Sequence, residues 1–319
     1  MKPQMFSFLL ASVFIAVLGD YSRDGDRRAV WWLVPLMALW VNLHGGFALG
    51  LALVMLTLAG IVLDGLMRGQ RWRTLPWHSL RRLGAVGVAC ALAVSLNPNG
   101  ARMYAYPFET LTSGAMMAFI QEWFSPNFHQ LMFLPLAVLI FATFAVMAVS
   151  KERVRLSDLL LLSATGYLAL KSGRNIPFFA LVAMPLLSEH AWHWLTDRSW
   201  GRWLIVPERR EVGSNAVLQV VLNVALLLVM PVAVCVGKVS RVIASQPAAE
   251  ARVNPTAAVD FIMARRPPGP LYNDYTWGGY LIWRLYPEYR VYIDGRADVY
   301  GDAFIGEFLT THNGRKNWR

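Results

Sequence analysis

The chain has 319 residues, of which 56% are hydrophobic and 16% are charged. Soluble domains carry about 25% charged residues, so this composition excludes an ordinary soluble protein and indicates a polytopic membrane protein. The formal net charge of +10 comes mostly from arginine-rich stretches between apolar segments. That is the positive-inside pattern of membrane proteins, and we expect no nucleic-acid partner.

Apolar segments recur along the first three quarters of the chain. They cover approximately residues 5–19, 29–43, 47–66, 83–96, 131–149, 157–170, 176–189 and 215–236. We therefore predict an α-helical polytopic membrane protein with about eight spans. Several segments are shorter than the roughly 20 residues of a full crossing, which predicts a bundle with a thinned or indented outer surface.

The second and third segments meet at the turn Asn42-Leu43-His44-Gly45-Gly46. Basic residues flank this hairpin at its other end, so the turn is predicted to lie on the opposite side of the membrane from them. Over the short predicted loops, the His44 side carries three basic residues, Arg102, Lys171 and Arg174. The positive-inside bias then makes the arginine-rich side cytoplasmic and the His44 side extracytoplasmic, facing out of the plasma (inner) membrane of a bacterial cell.

The longest predicted outer loop runs from residue 97 to residue 128. Asn97-Pro98-Asn99-Gly100 is a turn signal at its start. Met116, Phe119, Ile120 and Trp123 then recur at helical spacing, which predicts a short amphipathic helix in the plane of the membrane interface.

The sequence becomes more polar after the last apolar segment. We predict a transmembrane domain over residues 1–236, a linker over 237–253 and a small extracytoplasmic α/β domain over 254–319, cut short at its C-terminus. In that domain, helices are expected at 255–266 and 277–285, and strands at 271–273 and 290–293. The order helix, strand, helix, strand is the beginning of an α/β fold.

Lys171 and Arg174 form a pair of cations between two short apolar segments, against the prevailing charge bias. A lipid phosphate at the outer surface is a natural partner for them, because arginine binds phosphate bidentately. We assign lipid-phosphate binding to Lys171, Arg174 and Arg102. The alternative is that these side chains extend to the headgroups without a specific ligand.

His44 and Glu109 are the candidate catalytic groups of the outer side. His44 could act as an acid or base or orient a substrate phosphate, and the alternative is a histidine that bonds its own turn. Glu109 could act as a general base, and the alternative for it and for Glu122 is an ordinary interfacial carboxylate. Zinc-ligand spacing, a nucleophile elbow and a phosphate-binding glycine loop are missing from the sequence, so it indicates no metal and no identifiable cofactor.

Polar residues follow both predicted strands of the tail domain. Asp274 comes after the first, and Asp294 and Arg296 come after the second, while Trp277 opens the following helix. If the strands are parallel and adjacent, these groups emerge at the same edge, where α/β folds bind ligands. We assign acceptor binding to Asp274, Trp277, Asp294 and Arg296, with capping of turns as the alternative.

Five segments together resemble a known group of proteins. They are Lys2-Pro3-Gln4-Met5-Phe6-Ser7, Trp40-Val41-Asn42-Leu43-His44-Gly45-Gly46, Asn97-Pro98-Asn99-Gly100, Tyr106-Pro107-Phe108-Glu109 and Arg174-Asn175-Ile176-Pro177-Phe178. The chain resembles bacterial membrane proteins of the GT-C type, which are similar to glycosyltransferases that use polyprenyl-phosphate sugars. The resemblance implies transfer of a sugar from such a donor at the extracytoplasmic face.

The tail also resembles the start of the soluble domain of the oligosaccharyltransferase catalytic subunit. That domain carries a Trp-Trp-Asp-Tyr-Gly motif, and here Asp274-Tyr275 stands in the matching place without the tryptophan pair. Binding of an acceptor peptide is therefore not carried over.

One departure from the GT-C pattern concerns the catalytic carboxylate, which in that superfamily sits in the first extracytoplasmic loop. The first loop here falls on the cytoplasmic side, and its aspartates lie among arginines. We therefore expect that an upstream segment or a partner subunit supplies the carboxylate and that the chain alone is catalytically silent. The alternative function is a non-catalytic transporter or an assembly subunit of a cell-envelope complex.

Overall fold

The structure is a computed structural model, which describes residues 4–24, 28–70, 74–114, 117, 120–198 and 216–315. The chain divides into two compact units, Met1–Ile205 and Val206–Arg319.

The first unit is a bundle of α-helices joined by short connections. Its helices are α1 (Gln4–Asp24), α2 (Leu33–Leu43), α3 (Phe47–Met67), α4 (Trp77–Val94), α5 (Tyr106–Thr112), α6 (Leu134–Val149), α7 (Leu156–Lys171) and α8 (Ile176–Thr196). Short 3-10 turns lie between them at Arg28–Trp32, Gly100–Tyr104, Gln121–Trp123, Leu131–Phe133 and Gly173–Asn175. Proline stands in the first turn of α5, α6 and α8, where no backbone N–H is needed for the helix.

Large aromatic side chains fill the centre of this bundle. Phe14 of α1, Trp40 of α2, Phe47 of α3 and Phe179 of α8 are all fully buried. Phe14 and Trp40 pack edge to face, with ring centroids 5.3 Å apart. Such burial of four rings anchors α1, α2, α3 and α8 to one another.

Contacts between helix termini define two ends of the bundle. At the end that we call the His44 end, Ser7 of α1 contacts His44 after α2, and Arg174 before α8 also reaches His44. At the end that we call the Arg23 end, Arg23 pairs with Glu189 of α8. The helix rise of 1.5 Å per residue places Ser7 and Arg23 about 24 Å apart along α1.

Four helices of the described residues are long and apolar enough to cross a membrane. They are Gln4–Arg23, Phe47–Met67, Leu131–Val149 and Val220–Val239. This supports a membrane protein, but the prediction of about eight spans is wrong. The segments predicted at 29–43, 83–96, 157–170 and 176–189 lie within helices that are too short or too polar.

The reasons differ from helix to helix. Helix α2 has 11 residues and α7 has 16, whereas a crossing needs about 20. Helix α4 begins with polar residues that include Arg81 and Arg82, and the apolar stretch of α8 ends at Glu189 and His190 although the helix continues. Apolar composition correctly predicted helices in these segments. It did not predict whether each helix is long and apolar enough to cross a membrane.

The second unit is also helical in its described part. Its helices are α9 (Ala216–Val253), α10 (Thr256–Arg265), α11 (Gly278–Leu285) and α12 (Ala297–His312). Residues 237–253, which we predicted as a linker, form the C-terminal part of α9. A small core of Val259, Leu281 and Leu285 joins α10 to α11.

The predicted α/β domain is wrong, because none of the described residues forms a strand of a sheet. The two predicted strands do lie side by side and parallel, but they share a single bridge between Leu271 and Val291. The Asn273 side chain supplies the neighbouring bonds instead: its Oδ1 accepts from the Tyr292 N–H at 2.9 Å and its Nδ2 donates to the Ile293 carbonyl at 2.8 Å. The side chain of Asn273 thus takes the place of the next pair of backbone hydrogen bonds between the two segments.

Helix α11 begins directly against the second extended segment. A β-carbon at Gly278 would collide with the Ile293 carbonyl oxygen and the Asp294 Cα. Glycine is therefore required for this close approach of a helix to a backbone.

Candidate functional site

A chain of hydrogen bonds holds His44 at the His44 end of the first unit. The indole Nε1–H of Trp40 donates to Ser7 Oγ at 2.8 Å, and Ser7 Oγ lies 2.7 Å from His44 Nδ1. The backbone N–H of Gly46 also donates to His44 Nδ1, at 3.1 Å. Because Trp40 is fully buried, the chain of bonds is anchored in the core.

These bonds assign the tautomer of His44. A backbone N–H and an indole N–H can act as donors but not as acceptors. Gly46 therefore makes Nδ1 an acceptor, and Ser7, which already accepts from Trp40, is free to donate its own hydroxyl proton to Nδ1. The proton of the neutral imidazole then sits on Nε2, at the other side of the ring.

Arg174 faces that second nitrogen. One terminal guanidinium nitrogen lies 3.4 Å from His44 Nε2, and the guanidinium carbon lies 5.1 Å from the centre of the Trp123 ring. With the proton on Nε2, two donors face each other, and a distance of 3.4 Å is longer than a normal N–H hydrogen bond. An acceptor oxygen placed between them could take a hydrogen bond from each.

The charge balance of this site also favours an anion. Among the described residues, no carboxylate forms an ion pair with Arg174, which is half-buried. Burial and, to a lesser degree, the Arg174 charge hold the pKa of His44 below its ordinary value of 6.5. His44 is therefore neutral at pH 7, and the site carries one uncompensated positive charge.

Three hydrogen bonds join the segment before Arg174 to the predicted outer loop. Ser172 Oγ donates to the Glu122 carbonyl at 2.9 Å, the Gly173 N–H donates to the Phe124 carbonyl at 2.9 Å, and a serine of the loop, Ser125, donates from Oγ to the Lys171 carbonyl at 3.1 Å. These bonds position the ring of Trp123 beside Arg174. The predicted interfacial helix of this loop falls partly outside the described residues, and a 3-10 turn forms at its end.

Tyr106 and two asparagines complete the surroundings of the His44 turn. The Tyr106 ring packs against Gly45 so closely that a β-carbon there would collide with it. Asn42 Nδ2 donates to the Leu96 carbonyl at 2.8 Å, and Asn97 Nδ2 donates to the Val41 carbonyl at 3.0 Å. The ends of α2 and α4 are thereby joined, which fixes the position of the turn.

The other predicted residues of the outer side do not join this cluster. Glu109 lies on α5, Arg102 on the 3-10 turn Gly100–Tyr104 and Lys171 at the end of α7, and all three are exposed. In the part of the chain that the structure describes, none of them forms a hydrogen bond or an ion pair with His44 or Arg174. Of the predicted set, the structure brings together His44 and Arg174.

The predicted acceptor residues lie in the second unit. Asp294 is buried, and its carboxylate receives Arg296 Nε at 2.9 Å, a terminal Arg296 nitrogen at 2.6 Å and the Tyr300 hydroxyl at 3.0 Å. Asp274 accepts from the Thr276 N–H at 2.8 Å and pairs with His312 at 3.4 Å. Trp277 donates from Nε1 to the Val253 carbonyl at 3.2 Å.

Sequence reasoning missed the partners that orient the site. Ser7 and Trp40 lie within segments used for the resemblance, but nothing in their spacing shows that they meet His44. Trp123 was placed in an interfacial helix rather than beside Arg174. Within the described ranges, no group of three or more histidine, cysteine, aspartate or glutamate residues could hold a metal ion.

Fold and site together define a helical membrane protein with a histidine–arginine cluster at one end of its bundle. No known protein family, curated protein or solved structure matches the chain.

Proposed function

We propose that this protein binds the phosphate group of a polyprenyl-phosphate-linked sugar at the His44 end and serves in transfer of that sugar. The observation that supports the proposal is the pair of facing donors, His44 Nε2 and the Arg174 guanidinium, 3.4 Å apart. A phosphate oxygen between them accepts from both, and charge-assisted bonds of this kind are the strong ones.

The proposed chemistry is a displacement at the anomeric carbon of the sugar. The oxygen of an acceptor hydroxyl forms a bond to that carbon, while the bond from the carbon to the phosphate oxygen breaks and its electron pair stays on the phosphate. His44 and Arg174 stabilise the negative charge that develops on this leaving group. The hydroxyl proton passes to a carboxylate, for which Glu109 is the candidate in this chain, with an upstream segment or a partner subunit as the other source.

The charge distribution of the bundle supports an extracytoplasmic position for the His44 end. Ion pairs of Arg23, Arg68, Arg153, Arg155 and Lys151 gather at the Arg23 end. The positive-inside bias favours a cytoplasmic location for such an end. We propose that the span Val220–Val239 is the crossing that carries the tail outside.

Binding of undecaprenyl phosphate to the full chain in nanodiscs tests the proposed function. We expect the wild type to bind this lipid and not the uncharged undecaprenol, and we expect His44→Gln and Arg174→Gln each to weaken binding by about 10-fold or more. Arg153→Gln, which removes an exposed arginine from the Arg23 end, is the matched control and should bind normally. Equal binding by Arg174→Gln and the wild type would refute the proposal.

Sidedness has its own test. A reporter that is active only in the cytoplasm, fused after Arg252, should be inactive. Strong activity of the fusion would contradict an extracytoplasmic tail.

A further inference from the structure

A row of aromatic rings lies along α12 in the second unit. Phe304, Phe308 and His312 recur at every fourth position and share a face of the helical part that follows Gly301. Tyr300 precedes Gly301, where the backbone is kinked with a φ of 76°. Tyr300 and Phe304 stack with their centroids 5.2 Å apart, and Phe308 and His312 do so at 5.2 Å.

Two tyrosines from the extended segments join this row. Tyr292 lies 5.1 Å from Phe304 and 5.0 Å from Tyr272, between ring centroids. Tyr272 in turn lies 5.9 Å from Phe308. The six rings are therefore continuous, and we call them the aromatic row.

The row is partly buried and partly exposed. Phe308 is 3% exposed and belongs to the core of the unit, whereas Tyr292 is 36% and Tyr272 is 46% exposed. Tyr272 and Tyr292 are neighbours in space, with their ring planes tilted by 47°. They keep this much surface exposed although the same unit buries aliphatic residues such as Ile293 and Ile305, so they present an amphipathic aromatic surface to solvent.

Polar groups stand at both ends of the row. At the Tyr300 end, buried Asp294 holds Arg296 through two guanidinium nitrogens, and the Arg296 side chain remains 66% exposed. At the His312 end, Asp274 pairs with His312 and keeps 29% of its side chain exposed. Hydrogen-bonding groups thus flank an aromatic surface.

We infer that the aromatic row is a binding surface for a neutral carbohydrate chain. The apolar C–H faces of sugar rings stack on exposed aromatic rings, while their hydroxyl groups exchange hydrogen bonds with carboxylates and guanidinium groups. Tyr272 and Tyr292 supply the stacking surface, and Arg296 and Asp274 supply the polar contacts. A few polar groups around aromatic side chains are the usual make-up of a small-molecule site.

Charge favours a neutral ligand over an anionic one. Arg296 is neutralised by Asp294, and Asp274 leaves the His312 end without net positive charge. A nucleic acid or an anionic lipid surface requires clustered uncompensated cations. A polyhydroxylated neutral chain needs none.

This inference extends the proposed function and rests on it for the biological role, because it names a carbohydrate as the acceptor. The binding surface itself depends on residues of the second unit alone. It can therefore be tested separately from the phosphate site.

The experiment measures binding of three oligosaccharides to the full chain in lipid nanodiscs, without sugar-headed detergents that would compete. The probes are cellotetraose, chitotetraose and a linear mannotetraose. Saturation-transfer NMR and calorimetry measure their binding. The test variant is Tyr272→Leu with Tyr292→Leu, which keeps apolar side chains against Phe304 and Phe308. Phe261→Leu removes an aromatic ring of the same unit that is 60% exposed and outside the row, and it serves as the control.

We expect the wild type and Phe261→Leu to bind at least one probe equally, and the double variant to bind it about 10-fold more weakly or worse. Tyr292→Phe, which keeps the ring, should retain binding. His44→Gln should bind the oligosaccharide normally and lose the lipid phosphate, so the two proposals fail separately. Failure of the wild type to bind all three probes, or equal binding by a folded double variant, would overturn the inference.

Discussion

The ring of Tyr106 occupies the space that a β-carbon at Gly45 would need. Gly45 lies between His44 and Gly46, and the Gly46 N–H donates to the imidazole, so this contact links the predicted outer loop to the orientation of His44. The position of the imidazole thus depends on a side chain more than fifty residues further along the chain.

Gly45→Ala should disturb the site through this contact. The added methyl group forces Tyr106 or the turn to move, and overpacking of this kind costs about 1–3 kcal/mol. We expect a lower unfolding temperature in nanodiscs and weaker binding of undecaprenyl phosphate. Gly19→Ala is the control, since a β-carbon there meets no atom within 4 Å; identical behaviour of the two variants would contradict the prediction.

The pH dependence of stability should contain a contribution from His44. Its pKa is lowered in the folded protein, mainly by burial and also by Arg174. The unfolded state therefore binds more protons between the two pKa values, and stability rises with pH in that window. We expect this contribution to be complete above the unfolded value of about 6.5 and to be lost as the pH falls below it.

NMR titration of the His44 ring checks this directly. Arg174→Gln removes the smaller of the two causes of the lowered His44 pKa, so this pKa should move part of the way back towards the ordinary value. Unfolding temperatures measured against pH should lose this dependence in His44→Gln and retain it in His78→Gln, which changes an exposed histidine. A pKa of His44 above the ordinary value would contradict a half-buried imidazole beside the Arg174 guanidinium.

Helices α3 and α7 approach each other closely at Gly60. A β-carbon at this position would collide with the backbone N and Cα of Ser157. Small residues permit this kind of close helix packing in membrane proteins. We expect Gly60→Ala to destabilise the bundle by about 1–3 kcal/mol, measured by unfolding in detergent, whereas Gly84→Ala, which has open space around it, should be neutral or stabilising.

Two adjacent glycines at the start of α11 should respond in opposite ways. Gly278→Ala places a methyl group against the Ile293 carbonyl and the Asp294 Cα, whereas Gly279→Ala meets no atom within 4 Å. We expect the first change to open the second unit and speed its amide hydrogen exchange around residues 271–294. The second should leave exchange unchanged or slow it, and equal exchange in both variants would refute the close approach.

The turns at the His44 end followed from the sequence, because turn chemistry is local. The break at Gly45-Gly46 does separate α2 from α3, and Asn97 does form a turn, with the Gly100 N–H donating to its carbonyl at 2.7 Å. The meeting of Ser7, His44 and Arg174 could not be predicted, since these residues lie in three separate segments of the chain. Their contact depends on how α1, α3 and α8 pack.

The errors about the tail have a physical cause in Asn273. Residues 271–273 and 290–293 are rich in aromatic and aliphatic side chains, as short strands are, and the two segments do lie parallel. Asn273 then bonds the neighbouring backbone through its side chain, which ends the ladder after a single bridge. Composition indicates that a segment favours an extended backbone. It does not indicate which side chain will take the place of a backbone hydrogen-bond partner.

The pairing of Asp294 with Arg296 makes the two candidate sites respond differently to ionic strength. Dissolved salt screens uncompensated charge, and the screening length is about 8 Å under physiological conditions. Arg174 presents such a charge, so association at the His44 end should weaken as salt is added. The charge of Arg296 is compensated by Asp294, two residues away. The affinity of the aromatic row for its ligand should therefore change little with the same addition of salt.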